Sequence, residues 1–153
     1  MTKIGKNKKI FITGIAGFLG SHLADRMSEL GHQVSGCDNL LGGYRDNISK
    51  GVKFYKADAR DFPRMKVLLK DIDVLYHCAA APHEGLSVFS PNLITQHTYN
   101  STVAVVTAAV LCGVKRVVFC SSMARYGHQG YQGGKGGMFD ESMQPHPVDP
   151  YGV

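Results

Sequence analysis

The sequence lacks the features that mark secreted, membrane-spanning or metal-binding proteins. No apolar run approaches the ~20 residues of a membrane span, and the N-terminus has no continuous apolar region like that of a signal peptide. The four cysteines include no C-x-x-C pair, and the seven histidines show no ligand spacing such as H-x-x-x-H on a helix. We therefore expect a soluble cytoplasmic protein with free thiols and no bound metal.

Charge does not indicate a nucleic-acid partner either. The formal net charge is +5, but four lysines near the N-terminus carry part of it. These are Lys3, Lys6, Lys8 and Lys9. They have no interleaved aromatic residues and lead into a predicted strand, so residues 1–8 are interpreted as a solvated basic tail. Hydrophobic residues make up 44% of the chain and charged residues 19%, which is typical of a globular protein. We assign residues 9–153 to one compact domain.

The stretch KKIFITGIAGFLG carries the clearest local pattern. It predicts a buried strand over Lys9 to Thr13, and apolar residues with helical spacing begin at Phe18. Gly14, Gly17 and Gly20 are spaced G-x-x-G-x-x-G around this transition. A strand, a glycine turn and a helix together present free N–H groups and a positive dipole end to a phosphate. On spacing alone, a tight turn without a ligand is the alternative interpretation.

A second predicted strand makes the phosphate interpretation more specific. It covers Gln33 to Cys37 and leads into Asp38, 18 residues after Gly20. A carboxylate at about this distance meets the ribose hydroxyls in dinucleotide-binding folds. The two features together therefore predict a dinucleotide site.

Further strands and helices alternate along the chain. The remaining predicted strands are Val52 to Ala57, Asp73 to Cys78 and Lys115 to Cys120. One further helix is predicted after Asp61, which is its N-cap, and another is predicted over Pro91 to Cys112. Alternation of this kind predicts an α/β fold with a Rossmann-like, doubly wound parallel sheet. The near-continuous apolar runs are typical of strands buried on both faces. His77 ends one such run, so it is interpreted as a core histidine.

The segment Gly127 to Gly137 contains six glycines in eleven residues. It predicts a mobile loop, which either closes over a substrate or is an ordinary surface loop.

Seven short motifs follow one another in a recognisable order. They are Thr13–Gly20, Asp38–Leu40, Asp58–Asp61, His77–Ala80, Asn100–Thr102, Ser121–Gly127 and Asp149–Val153. In this order the sequence resembles the N-terminal part of an extended short-chain dehydrogenase/reductase of the NAD-dependent nucleotide-sugar epimerase/dehydratase family. The resemblance runs from Lys9 to the last residue.

The resemblance implies NAD as the cofactor. Asp38 would hold both adenosine ribose hydroxyls, and its charge would repel the 2′-phosphate of NADP. The cofactor-binding residues that the resemblance implies are Gly14, Gly17, Phe18, Leu19, Gly20, Asp38, Asn39, Asp58, Ala59, Cys78, Ala79, Ala80 and Ser121. Met123, Ala124 and Tyr126 would lie on the substrate side.

The resemblance also implies two catalytic residues, Ser122 and Tyr151. Oxidising a sugar hydroxyl needs a base for the O–H proton while the C–H hydrogen leaves as hydride. A tyrosine, with a pKa of about 10, needs a nearby positive charge to act as that base at neutral pH. In the family, a lysine in a Tyr-x-x-x-Lys pattern and the nicotinamide ring supply this charge. Without the family, a tyrosine after Pro150 would be interpreted as an exposed loop residue.

The given sequence ends two residues before that lysine position. We therefore expect a sheet truncated after about the fifth strand, without the C-terminal substrate region and with little or no turnover. The fifth strand would then be an unpaired apolar edge. For an intact enzyme the resemblance implies a homodimer, with the long Pro91–Cys112 helix at its interface.

Within the family, the glycine turn and Asp38-Asn39-Leu40 resemble the 4-epimerase branch most. The first expectation is transient oxidation of a sugar hydroxyl by bound NAD, with epimerisation at C4 of a UDP-sugar. Met123-Ala124 stand where 4,6-dehydratases usually place an acid–base pair, which argues against that reaction. Two alternatives are a non-catalytic NAD-binding module and a net dehydrogenase or reductase that exchanges free NAD(H).

Overall fold

The computed structural model describes residues 7–128 and 138–153. Most of the predicted basic tail (residues 1–8) and of the predicted Gly127–Gly137 loop lies outside the described residues. Within the described part of the chain, no helix is both long and apolar enough to cross a lipid bilayer.

Five parallel strands form one sheet, as the alternating pattern predicts. The strands are β1 (Lys9–Thr13), β2 (Gln33–Asp38), β3 (Lys53–Lys56), β4 (Val74–His77) and β5 (Arg116–Phe119). Their spatial order is β3-β2-β1-β4-β5, so β1 is central and pairs with both β2 and β4. This order and the helical crossovers confirm the Rossmann-like α/β fold.

Helices cover both faces of the sheet. They are α1 (Phe18–Glu29), α2 (Phe62–Leu68), α3 (Glu84–Phe89), α4 (Pro91–Thr95) and α5 (Ser101–Leu111). Short 3-10 turns cover Arg45–Asn47 and Met123–Tyr126. Alternate residues of β1 point into two separate cores. Phe11 packs with α2 and α5 on one face, and Ile10 and Ile12 pack with α1 on the other. Burial on both faces is the reason that β1 and β4 appear in the sequence as nearly continuous apolar runs.

The predicted long helix is more complex than its pattern indicates. A π-helical turn, Gln96–Asn100, joins α4 to α5. Here the Ser101 hydroxyl donates to the carbonyl oxygens of His97 and Thr98 at 2.7 and 3.0 Å, and the Thr102 hydroxyl donates to Thr98 at 2.7 Å. Both hydroxyls therefore bond back to carbonyls of the widened turn on their own helix. The separate helix α3 has no counterpart in the sequence analysis.

Candidate active site

The sequence-predicted site residues converge on one end of the sheet. The chain runs outward from β1 to β2 and β3 and then crosses back to β4 on the other side of β1. In sheets of this kind the crevice at the carboxyl ends of the strands, where the order reverses, is the place where ligands bind. The glycine turn follows β1 at this edge, and Ala79 follows β4.

Gly14 and Gly20 bring three backbone segments together without side chains between them. Gly14 has a φ of +70°, and its N–H donates to the Cys37 carbonyl at 2.8 Å. A Cβ atom at Gly14 would lie 2.8 Å from the Ala79 nitrogen, and one at Gly20 would overlap the Gly14 carbonyl oxygen. The turn therefore packs directly against the end of β4, at a distance that only glycine allows.

Helix α1 begins at this turn with its first N–H groups open. Gly17 is the N-cap, and no side chain among the described residues caps the helix. The N–H groups at the start of a helix have no intrahelical partner, so those of Phe18 and Leu19 are available to an acceptor. The Phe18 side chain is 83% exposed and its ring lies 4.8 Å from that of His22.

Asp38 is a buried carboxylate at the end of β2. Its Oδ2 accepts from the Ala16 N–H at 3.1 Å, and its Oδ1 accepts from the Leu40 N–H at 2.8 Å. The side chain thus ties the glycine turn to the loop after β2. Each carboxylate oxygen can accept about two hydrogen bonds, so each retains acceptor capacity.

Asp58 lies beside Asn39 and is held by Arg60. The Arg60 guanidinium donates to it at 2.9 and 3.0 Å, the Arg60 backbone N–H at 2.9 Å, and the Asn39 amide at 3.2 Å. Hydrogen bonding by Arg60 holds the pKa of Asp58 well below its usual range, although partial burial opposes the shift. Arg60 also donates to Gln96 in the π-turn at 2.6 Å. Ala59, the neighbouring predicted residue, is buried.

His77 forms a hydrogen-bond chain beneath the site. Thr13 Oγ1 lies 2.7 Å from Nδ1 and Thr102 Oγ1 lies 3.0 Å from Nε2. Because the Thr102 hydroxyl already donates to Thr98, it accepts from Nε2–H, so the neutral ring accepts from Thr13 at Nδ1. Thr13 Oγ1 in turn accepts from the Ala79 N–H at 3.3 Å. Burial lowers the pKa of His77 to about 4, which keeps the ring neutral.

An open cleft of about 1100 Å³ extends from the ends of β4 and β5 to the C-terminal segment. It is bounded on one side by α4, the π-turn and Thr102. The predicted site residues that line it are Cys78, Ala79, Ala80, Ser121, Ser122 and Tyr151.

The two predicted catalytic residues reach the cleft from different segments. Ser122 precedes the 3-10 turn, and its Oγ accepts from the Ala124 N–H at 3.1 Å. Tyr151 lies in a turn in which Asp149 Oδ1 accepts from the Tyr151 and Gly152 N–H groups, both at 2.8 Å. A Cβ atom at Gly152 would lie 2.7 Å from the Ala124 carbonyl oxygen. Close backbone packing therefore holds the Tyr151 turn against the Ser122 turn.

The predicted substrate-side residues are not among those that line this cleft. Met123 is exposed, whereas Tyr126 is buried and stacks on Phe139 at 5.4 Å. The Arg125 guanidinium lies 4.9 Å from the centre of the Tyr126 ring. Among the described residues, no three histidine, cysteine or acidic side chains form a group that could hold a metal ion.

The sequence motifs include Thr13, Arg60 and Thr102, but sequence reasoning missed their part in supporting the site from behind. Thr13 and Thr102 orient His77, and Arg60 connects Asp58 to Gln96. Thr13 is the last residue of β1, and a hydroxyl at the end of a strand with an apolar centre was the one available signal. Arg60 and Gln96 are 36 residues apart and His77 and Thr102 are 25 residues apart, so neither pair forms a local sequence pattern.

The model of the NAD dependent epimerase/dehydratase family matches residues 10–153. UDP-glucose 4-epimerase of Streptomyces lividans is 33% identical over 148 residues, which is 95% of this chain and 44% of that protein.

Two solved structures have the same arrangement of the chain. The UDP-N-acetylglucosamine 4-epimerase of Methanobrevibacter ruminantium, in complex with UDP-N-acetylmuramic acid, superposes with a TM-score of 0.85 at 29% identity, over 97% of this chain and 47% of that one. The UDP-glucose 4-epimerase of Brucella ovis, in complex with NAD, has a TM-score of 0.85 at 27% identity, over 95% and 43%. The chain thus spans less than half the length of each of these three proteins.

Proposed function

Because the chain belongs to the NAD dependent epimerase/dehydratase family, we propose that residues 9–153 are the NAD-binding part of a nucleotide-sugar epimerase. The observation that carries this proposal is the juxtaposition of an open glycine turn and a buried carboxylate at the reversal point of the sheet. Ser122 and Tyr151 line a cleft at the same edge of the sheet. The curated relative and the two solved structures described above are named as 4-epimerases of UDP-sugars, so a UDP-sugar is the proposed substrate.

The residues present fit NAD at its pyrophosphate and adenosine ribose. The N–H groups of Phe18 and Leu19 and the positive end of α1 would hold the pyrophosphate. The absence of a side chain at Gly17 lets an anion reach that backbone. Asp38 would accept from both ribose hydroxyls with its remaining lone pairs, and its negative charge would oppose the 2′-phosphate of NADP.

Asp58 fits the adenine less simply. Its carboxylate already accepts four hydrogen bonds, which fills its acceptor positions. An adenine amino group would therefore replace one donor, and the Asn39 amide, at 3.2 Å, is the longest of the four. We propose that Asn39 turns away from Asp58 when the cofactor binds.

Catalysis would need the two hydroxyls of the cleft. Ser122 accepts from Ala124 with its oxygen, so its O–H is available to orient the reacting sugar hydroxyl. Tyr151 would take the proton, provided that a cation stabilises its phenolate. When bound, NAD would supply the reversible hydride acceptor that this chemistry requires. We propose that turnover depends on the lysine of the Tyr-x-x-x-Lys pattern, and that these 153 residues alone have little or none.

Cofactor binding is tested first by thermal unfolding of the chain with NAD and with NADP. We expect NAD to raise the midpoint and NADP to raise it less. In Asp38→Asn, the loss of charged hydrogen bonds to the ribose should weaken NAD binding about tenfold or more. Asp46→Asn changes an exposed carboxylate on the neighbouring loop and should leave the NAD response unchanged. A folded chain that responds to neither nucleotide would overturn the proposal.

The reaction is tested with a UDP-hexose in the protein as its own gene expresses it. Epimerisation that is lost in Tyr151→Phe, with NAD binding retained, would support the epimerase. NAD binding without any conversion would instead identify a non-catalytic module. Net release of NADH would identify a dehydrogenase.

A further inference from the structure

Two thiols meet at the bottom of the cleft. Cys78 and Cys120 each follow the last register pair of β4 and β5, His77 and Phe119. Their Sγ atoms lie 3.5 Å apart, although 42 residues separate them in the chain. Both side chains are half-buried and line the cleft, so a small solute can reach them.

We propose that Cys78 and Cys120 are a redox-active dithiol that small two-electron oxidants, such as peroxides, convert to an intrachain disulfide across the strand ends. A sulfur–sulfur bond is about 2.05 Å long, so the two sulfurs must approach by about 1.5 Å. Parallel pairing already places the two residues side by side, so side-chain rotation with a small strand shift supplies this movement.

The oxidation balances with hydrogen peroxide as the oxidant. One sulfur attacks a peroxide oxygen as its thiolate, the O–O bond breaks, and water leaves with a sulfenic acid formed on that sulfur. The second sulfur attacks the sulfenic sulfur, the S–S bond forms, and the S–O bond breaks. The sulfenic hydroxyl group and the proton of the second thiol leave together as a second water molecule. The two thiols lose two electrons in total, and the peroxide gains them.

The other two cysteines lack this arrangement. Cys37 is 1% exposed, beneath the glycine turn, and Cys112 donates its S–H to the Lys66 carbonyl at 3.3 Å. Neither lines the cleft. Burial raises the pKa of Cys78 to about 12, with Cys120 as a further cause, so Cys78 remains a thiol at neutral pH. Oxidation should therefore be faster at pH 9 than at pH 7.

The disulfide would alter the site on both sides of the cleft. Ala79, next to Cys78, packs on Gly14 of the glycine turn, and Ser121 and Ser122 follow Cys120. A disulfide between the ends of β4 and β5 would shift the backbone against which these segments pack. This consequence rests on the proposed function: bound NAD should slow the oxidation, and the disulfide should weaken NAD binding.

The test is oxidation of the folded chain with hydrogen peroxide, followed by thiol counting and peptide mapping without reduction. We expect the number of free thiols to fall from four to two. Trypsin should release residues 71–115 and 117–125 as one cross-linked species. Because residues 71–115 contain both Cys78 and Cys112, the Cys112→Ser variant must give the same cross-link, and Cys78→Ser must not.

Cys120→Ser is a second variant that must also abolish the cross-link, in case Cys78→Ser does not fold. The proposal is overturned if the folded wild-type chain keeps four thiols, or if its main cross-link joins another pair. A disulfide that forms without affecting NAD binding would support the redox-active dithiol and would contradict its expected effect on the cofactor site. Absence of NAD binding in the reduced chain would overturn the proposed function and leave the dithiol standing.

Discussion

At the scale of single residues, Asp38 and Gly20 fix the candidate cofactor site by opposite means. Asp38 contributes two charge-assisted hydrogen bonds that join the glycine turn to the next loop. Gly20 contributes empty space, because a Cβ there would overlap the Gly14 carbonyl oxygen. The site therefore depends on the carboxylate of Asp38 and on the absence of a side chain at Gly20.

This contrast predicts the effect of Gly20→Ala on stability. Alanine normally favours a helix over glycine by about 1 kcal/mol, so the substitution would stabilise α1 if space allowed. The overlap with Gly14 should reverse the sign and lower the free energy of unfolding by about 2 kcal/mol or more. Urea unfolding monitored by circular dichroism measures the change.

The matched control is Gly42→Ala, in the loop after β2. A Cβ atom there would meet nothing within 4 Å, and Gly42 is not among the glycines with positive φ. Its effect should stay within about 0.5 kcal/mol. Equal stability of the two variants would contradict the close packing of the turn.

At the scale of elements, side-chain hydrogen bonds decide where helices begin and change shape. Asp61 Oδ1 accepts from the Arg64 N–H at 3.0 Å at the start of α2, as an N-cap should. Hydroxyls of Ser101 and Thr102 bond to carbonyls in the π-turn. The cap was visible in the sequence because it is local and has a known residue preference. The π-turn was not, because serine and threonine also occur in regular helices.

The variant Asp61→Ala tests how much the N-cap hydrogen bond of α2 contributes to the free energy of unfolding. Helix α2 places Met65 in the core that it shares with α5. Loss of the cap should lower the free energy of unfolding by about 1 kcal/mol. The control is Asp46→Ala, at an exposed position in a 3-10 turn with no side-chain cap bond, which should change it by less than about 0.5 kcal/mol. If both variants matched the wild type, α2 would not depend on its cap.

At the scale of the whole molecule, His77 links elements that are distant in sequence. Its ring joins β1 through Thr13 and α5 through Thr102. Because burial lowers its pKa to about 4, the folded state binds this proton less readily than the unfolded state, in which the pKa is about 6.5. Stability from this group is present above pH 6.5 and is lost as the pH falls toward 4.

We therefore expect the wild-type chain to lose about 2 kcal/mol of stability from His77 between pH 7 and pH 5. This range lies above the ordinary pKa values of carboxyl groups, so they contribute little. His77→Gln should be less stable at pH 7 but lose much less on acidification. The exposed His83 provides the control, and His83→Gln should keep the wild-type slope. Urea titrations at both pH values measure the slopes, and identical slopes in all three proteins would rule out a neutral buried His77.

The order of the five strands along the chain and the position of the glycine turn follow from the sequence alone, whereas helix α3 and the π-turn do not. The bounds of β1 agree with the prediction, and α1 begins at Phe18 as predicted. Such features depend on neighbouring residues, whose spacing and backbone preferences are visible along the chain. Asp38 belongs with them, since it stands at the end of a strand that the sequence predicts.

Which distant side chains meet follows from the folded arrangement and not from the local pattern. The sequence does not show that Cys78 faces Cys120, that His77 lies between two threonines, or that Arg60 reaches Gln96. These contacts arise where neighbouring strands and the long helix converge, and strand register and helix packing set their distances. The local pattern does not give these distances, because register and packing are set together when both faces of the sheet are buried.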